Sequence, residues 1–218
     1  MWQLENTYRD SLPSEFYSEQ APVPVANPEM VCFNDTLVES LGLKEELSSS
    51  AFAKNIFSGK EILRGSSPIA QAYAGHQFGQ FTMLGDGRAV LLGEHVIDGK
   101  RYDIQLKGSG VTKYSRRGDG RVTLSSMLRE YLMSEAMHHL GVKTTRSLAV
   151  VKTGDWVYRE KENKGAVLTR IAQSHIRVGT FEYARVFTTD LETFTKYVIG
   201  RHDPEILKAD NYAIEFLR

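Results

Sequence analysis

The spacing of apolar and polar positions changes character several times along the chain. The first 30 residues carry four of the six prolines (Pro13, Pro22, Pro24, Pro28) and little periodicity, which predicts an extended arm laid on the domain. Asn34 or Asp35 precedes a short apolar-periodic run that ends at Leu41-Gly42, the signature of a capped helix, and a second helix is expected from about Lys44 to Phe57. Turn residues from Gly59 to Gly79, with Ser66-Ser67-Pro68 among them, predict an ordered loop. The period then shortens to two. The segments 81–84, 88–96 and 101–106 are rich in apolar and β-branched residues and are separated by Gly85-Asp86-Gly87 and Asp98-Gly99, which predicts a three-stranded antiparallel meander.

Beyond a Gly/Ser/basic loop at 108–120, Thr123 or Ser125 can cap a helix reaching His139, with Leu124, Met127, Leu128, Tyr131 and Leu132 on one face and Gly141 past its end. Strand character returns at 147–152, 156–159 and 166–171, with turns at Gly154-Asp155 and 163–165. The tail from Thr180 is helical in pattern and broken at Asp203-Pro204. Helices, antiparallel strands, one helix, more strands and more helices make an α+β fold. The one internal echo is Gly-Asp-Gly-Arg, at 85–88 and again at 118–121.

Composition narrows the class. With 218 residues, 41% of them hydrophobic and 10% aromatic, the chain can bury a core, which excludes global disorder. No window approaches the run of apolar residues that a membrane span needs, and the acidic start lacks the layout of a signal peptide. Cys32 is the single cysteine, so an internal disulfide or a cysteine-based zinc cluster is excluded. A cytoplasmic protein with no membrane partner is expected. The 27 basic and 27 acidic residues cancel, but unevenly: residues 1–50 carry a net charge of −7 and residues 101–150 one of +5. This balance argues against a general polyanion binder, and the basic stretch lacks the interleaved aromatics of a nucleic-acid site. A local anion site in the middle of the chain remains open beside the plainer reading of a solvated basic face.

The candidate chemistry lies there. Two glycines and Arg88 at 85–88 form a turn that lets backbone and a guanidinium fork approach an anion, although an ordinary hairpin turn has the same residues. Lys107 ends an apolar strand before Gly-Ser-Gly, as a phosphate-reaching point charge or an edge-strand gatekeeper. A helix with Glu130 and Glu135 follows. Glycine-rich turn, strand lysine and helix glutamate, in that order, is the arrangement of protein-kinase-like nucleotide sites. By helical periodicity Glu135 falls in the middle of the apolar face and Glu130 at its edge, so periodicity prefers Glu135 as the mate of Lys107. Arg170 and Arg177 suit phosphate oxygens or surface ion pairs, and Asp119, an acid among cations, can orient its neighbours. His138 and His139 are adjacent and make a poor metal pair, and His76 and His175 are isolated.

The motifs Tyr73-Ala-Gly-His-Gln-Phe-Gly-Gln-Phe, Leu84-Gly-Asp-Gly-Arg-Ala, Gln105-Leu-Lys-Gly-Ser-Gly, Arg117-Gly-Asp-Gly-Arg and Leu128-Arg-Glu-Tyr-Leu-Met-Ser-Glu-Ala-Met occur in one order, and the chain resembles the selenoprotein O (SelO/YdiU) family from the Pro-rich arm to about residue 200. The resemblance implies a protein-kinase-like (pseudokinase) N-terminal lobe with an antiparallel sheet and an αC-type helix. It implies a protein adenylyltransferase that binds ATP flipped and transfers AMP to Ser, Thr or Tyr hydroxyls of protein substrates, with Mg²⁺. The residues it implies for ATP are Gly85, Gly87, Arg88, Lys107, Asp119, Gly120, Arg170 and Arg177, and it makes Glu130 the partner of Lys107, with Glu135 as the alternate.

The family's catalytic base aspartate, its metal ligands and its reactive C-terminal cysteine or selenocysteine have no counterpart here. The resemblance thus implies an N-terminal portion, truncated before the complete C-terminal lobe, with no catalytic or metal residue of its own. The implied division is an arm with short helices (1–58), a nucleotide-binding lobe (59–178) and the start of a helical lobe (179–218), with exposed apolar surface on the last helices. A non-catalytic nucleotide-binding or interaction module is the alternative.

Overall fold

A computed structural model describes residues 2–45, 47, 50–77 and 79–218. The strands are β1 (Leu4–Glu5), β2 (Tyr17–Glu19), β3 (Glu29–Phe33), β4 (Ile69–Gln71), β5 (Ala74–Gln77), β6 (Gln80–Met83), β7 (Ala89–Ile97), β8 (Lys100–Lys107), β9 (Val122–Thr123), β10 (Arg146–Tyr158) and β11 (Glu162–Ala172). The helices are α1 (Thr7–Ser11), α2 (Asp35–Ser40), α3 (Ser50–Ser58), α4 (Leu124–His139), α5 (Val178–Phe187), α6 (Leu191–His202) and α7 (Tyr212–Phe216). The main sheet runs β2-β4-β7-β8-β11-β10-β3, every pairing antiparallel, with β1 added to β7 and β9 to β11. The α+β architecture is as the pattern predicts.

Strand alternation gives the sheet two faces. On one, Leu92, Ile104, Leu106, Leu148, Val151, Val167 and Ile171 pack under α2 and α3, against Leu37, Val38, Ile56 and Phe57. A register shift between Ser147 and Ala149 lets both Leu148 and Ala149 join that core. On the other face, α4 seats Met127 on Val122, Val150, Ala166 and Leu168. A third cluster gathers Tyr8, Phe16, Ile69 and Leu91 against Tyr183, Phe194 and Val198 of α5 and α6.

Several expectations change. The Pro-rich arm is not simply extended: it forms α1 and the strands β1, β2 and β3, and it buries Tyr8, Leu12, Phe16 and Val25. Its pairing partners lie far along the chain, so no local period announces them. The second helix starts at Ser50 rather than near Lys44. Lys44, Glu45 and Leu47 sit in turns, and the intervening positions 46, 48 and 49 lie outside the described residues. The loop expected at 59–79 contains β4 and β5. The three-stranded meander is two-stranded: β7 and β8 form the hairpin around Asp98-Gly99, both with positive φ, while β6 pairs with β5 in a separate ribbon. The segments 147–152 and 156–159 are one strand, β10, with a register shift between Lys152 and Trp156 where a turn was expected; the chain reverses instead near residues 159–161.

The helix capped by Thr123 runs to His139 as predicted, with the Thr123 hydroxyl accepting from Ser126 N–H and Gly141 at φ 81°. Its buried stripe is narrower than the wheel suggests, because Leu132 is 66% exposed. The helical tail is broken at Pro204 and also between α5 and α6, and Val178, Ile214 and Leu217 are exposed.

One buried polar network holds α6 to the sheet. Arg201 ion-pairs with Glu94 of β7 at 3.0 Å and Asp103 of β8 at 2.5 Å, and its side chain is 3% exposed. Burial works against the guanidinium charge, and Asp103 and Glu94 more than restore it. Glu94 also accepts from Thr7 and from the backbone N–H of Tyr8, which ties in the arm. Arg201 donates to the Gln173 carbonyl, and Asp103 accepts the backbone N–H of His175 at 2.7 Å. The network therefore sets the path of residues 173–177. Removing the guanidinium leaves buried Asp103 without its arginine partner and Glu94 with Arg101 alone at 3.3 Å, so Arg201→Met should destabilise the chain by about 3–5 kcal/mol. Urea unfolding reads this as a lower midpoint at unchanged slope.

Candidate functional site

Alternation along β8 turns Asp103, Gln105 and Lys107 away from the core that holds Ile104 and Leu106. Register then puts Arg170 of β11 directly across from Gln105. Lys107 and Arg170 line a cleft of about 680 Å³ closed by the segments 84–89 and 114–121 and by Arg177, while Asp103 and Gln105 are buried beneath it. Gly85, Gly87, Arg88, Lys107, Asp119, Gly120, Arg170 and Arg177, read from eight positions spread over 93 residues, all line it. Seven arginines and one lysine face this space with two aspartates, Asp86 and Asp119. A concave surface with that excess of cations focuses potential and concentrates anions.

The turn 85–88 links β6 to β7, which do not pair, so it is not the hairpin turn that the spacing suggested. It is clasped instead by the following loop. The Thr112 hydroxyl donates to the Asp86 carbonyl at 2.7 Å, the Ser115 hydroxyl donates to the Gly87 carbonyl at 2.5 Å, and Gly108 N–H donates to the Arg88 carbonyl. The Tyr114 ring lies on Gly85: a Cβ there would come within 2.3 Å of it, and φ is 114°. The glycine is required by this packing, a reason distinct from close approach of an anion. Gly120, at φ 65°, would bring a Cβ within 1.9 Å of the Gly110 carbonyl oxygen. Burial pushes the Tyr114 hydroxyl up to about 12.

Lys107 is paired with Glu130 of α4, and Arg170 reaches the other oxygen of the same carboxylate at 3.5 Å. Burial lowers the Lys107 ammonium and Glu130 partly restores it; burial likewise lowers Arg170. Glu135, which periodicity preferred, is committed elsewhere. It accepts from Arg146 at 2.9 and 2.7 Å, from Ser147 N–H at 2.9 Å and from the Asn34 amide at 2.8 Å. An acid on the core-facing side of a helix does need a partner, as the wheel implied, but α4 meets β10 and α2 there rather than β8. Glu130 lies one and a half turns nearer the N-terminus, where the helix passes the end of β8.

Asp119 holds Arg159 through two 2.8 Å bonds and accepts Arg121 N–H, and the Arg159 guanidinium lowers its carboxyl below the ordinary value. Arg177 is placed by three contacts: Asp86 at 3.3 Å, the His175 carbonyl at 2.9 Å, and the face of Tyr73, 4.4 Å from the ring centroid. Arg88 and Arg117 are exposed and have no side-chain partner among the described residues. Sequence reasoning missed Asp86, Tyr73, Tyr114, Arg116, Arg121 and Arg159 as residues of the cleft. Asp86 stands inside a singled-out motif, and a lone acid between two glycines was the available signal. Arg159 carried none, since it arrives from the far end of β10. Among the described residues no group of three His, Cys, Asp or Glu side chains is placed to hold a metal ion, and no helix is long and apolar enough to cross a membrane.

Gly85→Ala should drive the loop at Tyr114 off the turn, at a stability cost of about 2 kcal/mol or more. Denaturant unfolding followed by tyrosine fluorescence measures the loss, and a cost near zero would show that the turn does not depend on this packing.

Comparison with known proteins matches residues 3–218 to the family model described as "Protein adenylyltransferase SelO". A protein named "Protein nucleotidyltransferase YdiU" from Clostridium perfringens (strain SM101 / Type A) is 61% identical over 217 residues, covering 98% of this chain. Proteins of the same name from Nitrosococcus oceani and Geobacillus kaustophilus are each 55% identical, over 100% and 96% of this chain. In all three cases the match spans 44% of the relative's length.

Proposed function

The chain belongs to the SelO family of protein adenylyltransferases, and from that premise we propose that its cationic cleft binds the triphosphate of ATP for transfer of AMP to Ser, Thr or Tyr hydroxyls of protein substrates. We place this activity in the cytoplasm and assign it to the longer protein of which the relatives are examples. The observation that carries the reading is the convergence of Arg88, Lys107, Arg170 and Arg177 on one cleft whose two carboxylates are already committed. The buried Nε of Arg170 has no partner among the described residues, and a buried donor of this kind gains from an anionic acceptor. In this reading the β7–β8 hairpin, Lys107 and α4 are the kinase-like N-lobe, with α4 as its αC-type helix. Residues 59–178 carry the nucleotide, 1–58 brace the sheet, and 179–218 begin a helical lobe.

The chemistry expected of the cleft is electrostatic. A substrate hydroxyl attacks the α-phosphorus, the bond to the β-phosphate oxygen breaks, and Arg170, Arg177 and Lys107 stabilise the charge that accumulates on pyrophosphate. Preorganised guanidinium forks suit this because each presents paired N–H donors to adjacent phosphate oxygens. Mg²⁺ fits this cleft poorly, because Asp86 is buried against Arg177 and Gln105 while Asp119 is chelated by Arg159. No step is therefore routed through a metal in this chain. The same two commitments leave no carboxylate of the cleft free to take the hydroxyl proton, which favours a second reading: a nucleotide-binding module that does not catalyse by itself.

Incubation with α-labelled and, separately, γ-labelled ATP separates the readings. Label on protein from the α-position alone is the result expected of AMP transfer, binding without label is that of the module, and label from the γ-position contradicts both. In calorimetry Lys107→Ala should weaken ATP binding about 10- to 100-fold; an unchanged affinity would leave Lys107 and Glu130 only a structural role.

A further inference from the structure

We propose that Asp86 is the positioning residue for the two phosphate-facing arginines, acting directly on Arg177 and through Gln105 on Arg170. The inference rests on the phosphate-binding reading of the cleft. Asp86 is 3% exposed, although it stands in a turn between two glycines. A buried carboxylate persists only where donors surround it. One oxygen meets the Arg177 guanidinium at 3.3 Å, and the other accepts from the Gln105 amide at 3.0 Å and faces the Gln71 N–H at 3.4 Å. The opposite end of that same Gln105 amide accepts from Arg170. Because Gln105 is fully buried and has one N–H₂ and one carbonyl, its orientation is dictated: the donor end must face Asp86 and the acceptor end Arg170. A single carboxylate thereby sets the direction of one guanidinium by contact and of a second through one amide.

The turn that carries Asp86 is itself clasped by Thr112 and Ser115, so the carboxylate is anchored to a fixed backbone. Burial raises Asp86 above the usual carboxylate range, and Arg177 and Arg170 only partly offset this. Its ionised form is thus held at some expense to folding, as expected of a group retained for arranging the cleft rather than for stability.

Electrostatics alone and positioning predict opposite signs, and this makes the proposal testable. Asp86→Asn removes a negative charge from a cleft lined by eight cations. If the carboxylate contributed only charge, polyphosphate would bind the variant more tightly. If it aligns the arginines, binding weakens, because the new amide turns a donor toward Arg177 or withdraws the acceptor from Gln105. The probe is inorganic tripolyphosphate, titrated calorimetrically at fixed salt into the whole chain, with a thermal melt to verify folding. The expected result is affinity lower by about 10-fold or more in Asp86→Asn. In an Arg177→Ala background the share of that loss carried by Arg177 should disappear, leaving the share that passes through Gln105 to Arg170, because paired groups are non-additive.

Gln105→Met keeps the volume and removes the bridge, so it should weaken binding in the same direction. It carries the test alone if Asp86→Asn does not fold. Binding of Asp86→Asn equal to or tighter than wild type, full additivity with Arg177→Ala, or an unaffected Gln105→Met overturns the proposal. A wild-type chain that does not bind tripolyphosphate overturns the phosphate reading itself, and the inference with it.

Discussion

Cations gathered at the end of a sheet repel one another unless fixed carboxylates stand between them. Lys107, Arg170 and Arg177 reach one cleft from β8, from β11 and from the start of α5. Glu130 stands between the lysine and Arg170, and Asp86 stands against Arg177. Each acid is in turn fixed by structure away from the cleft. Glu130 is held by the rotational setting of α4, which Glu135 pins to Arg146, Ser147 and Asn34. Asp86 is held by the clasp between the turn 85–88 and the loop at 112–115. Ion pairs of this kind contribute little to net stability. Their consequence is geometric, since they keep guanidinium and ammonium groups extended and ready for an anion.

The same constraint explains why elements far from the cleft matter to it. Arg201, Glu94 and Asp103 form a second buried ion cluster that binds α6 to β7 and β8. Through Asp103 and the Gln173 carbonyl this cluster also fixes the segment that delivers Arg177. The arm joins in through Thr7 and Tyr8, so the acidic N-terminal fifty residues brace the cationic middle by specific bonds rather than by opposite net charge.

Local signals were legible where the chemistry is local. Thr123 and Gly141 bounded α4, and Asp98-Gly99 marked the β7–β8 hairpin, because caps and two-residue turns are decided by a few neighbouring side chains. The eight residues assigned to the nucleotide came from resemblance to a family, and the fold brings all eight to one cleft. Periodicity could not supply them. It preferred Glu135 for Lys107 because it sees which face of a helix is inward, and not which strand the helix crosses at each turn. It missed β1 to β3 because their partners are about 50 to 120 residues away in sequence, and it placed β6 in the meander because an apolar run does not reveal its pairing partner. Asp86 and Gln105 escaped notice because a polar residue that organises other polar residues looks, in sequence, like an ordinary turn or strand residue.

The orientation of the bound nucleotide is the direct consequence of this account. In the proposed reading Arg170 and the partly exposed Arg177, held by Glu130 and Asp86, suit the inner end of the cleft to phosphates. The decisive measurement is a crystal structure with a non-hydrolysable ATP analogue. The predicted result places the terminal phosphates within hydrogen-bonding distance of Arg170, Arg177 and Lys107, with the adenosine directed outward. Adenine packed at the inner end, with the phosphates clear of both arginines, would contradict it.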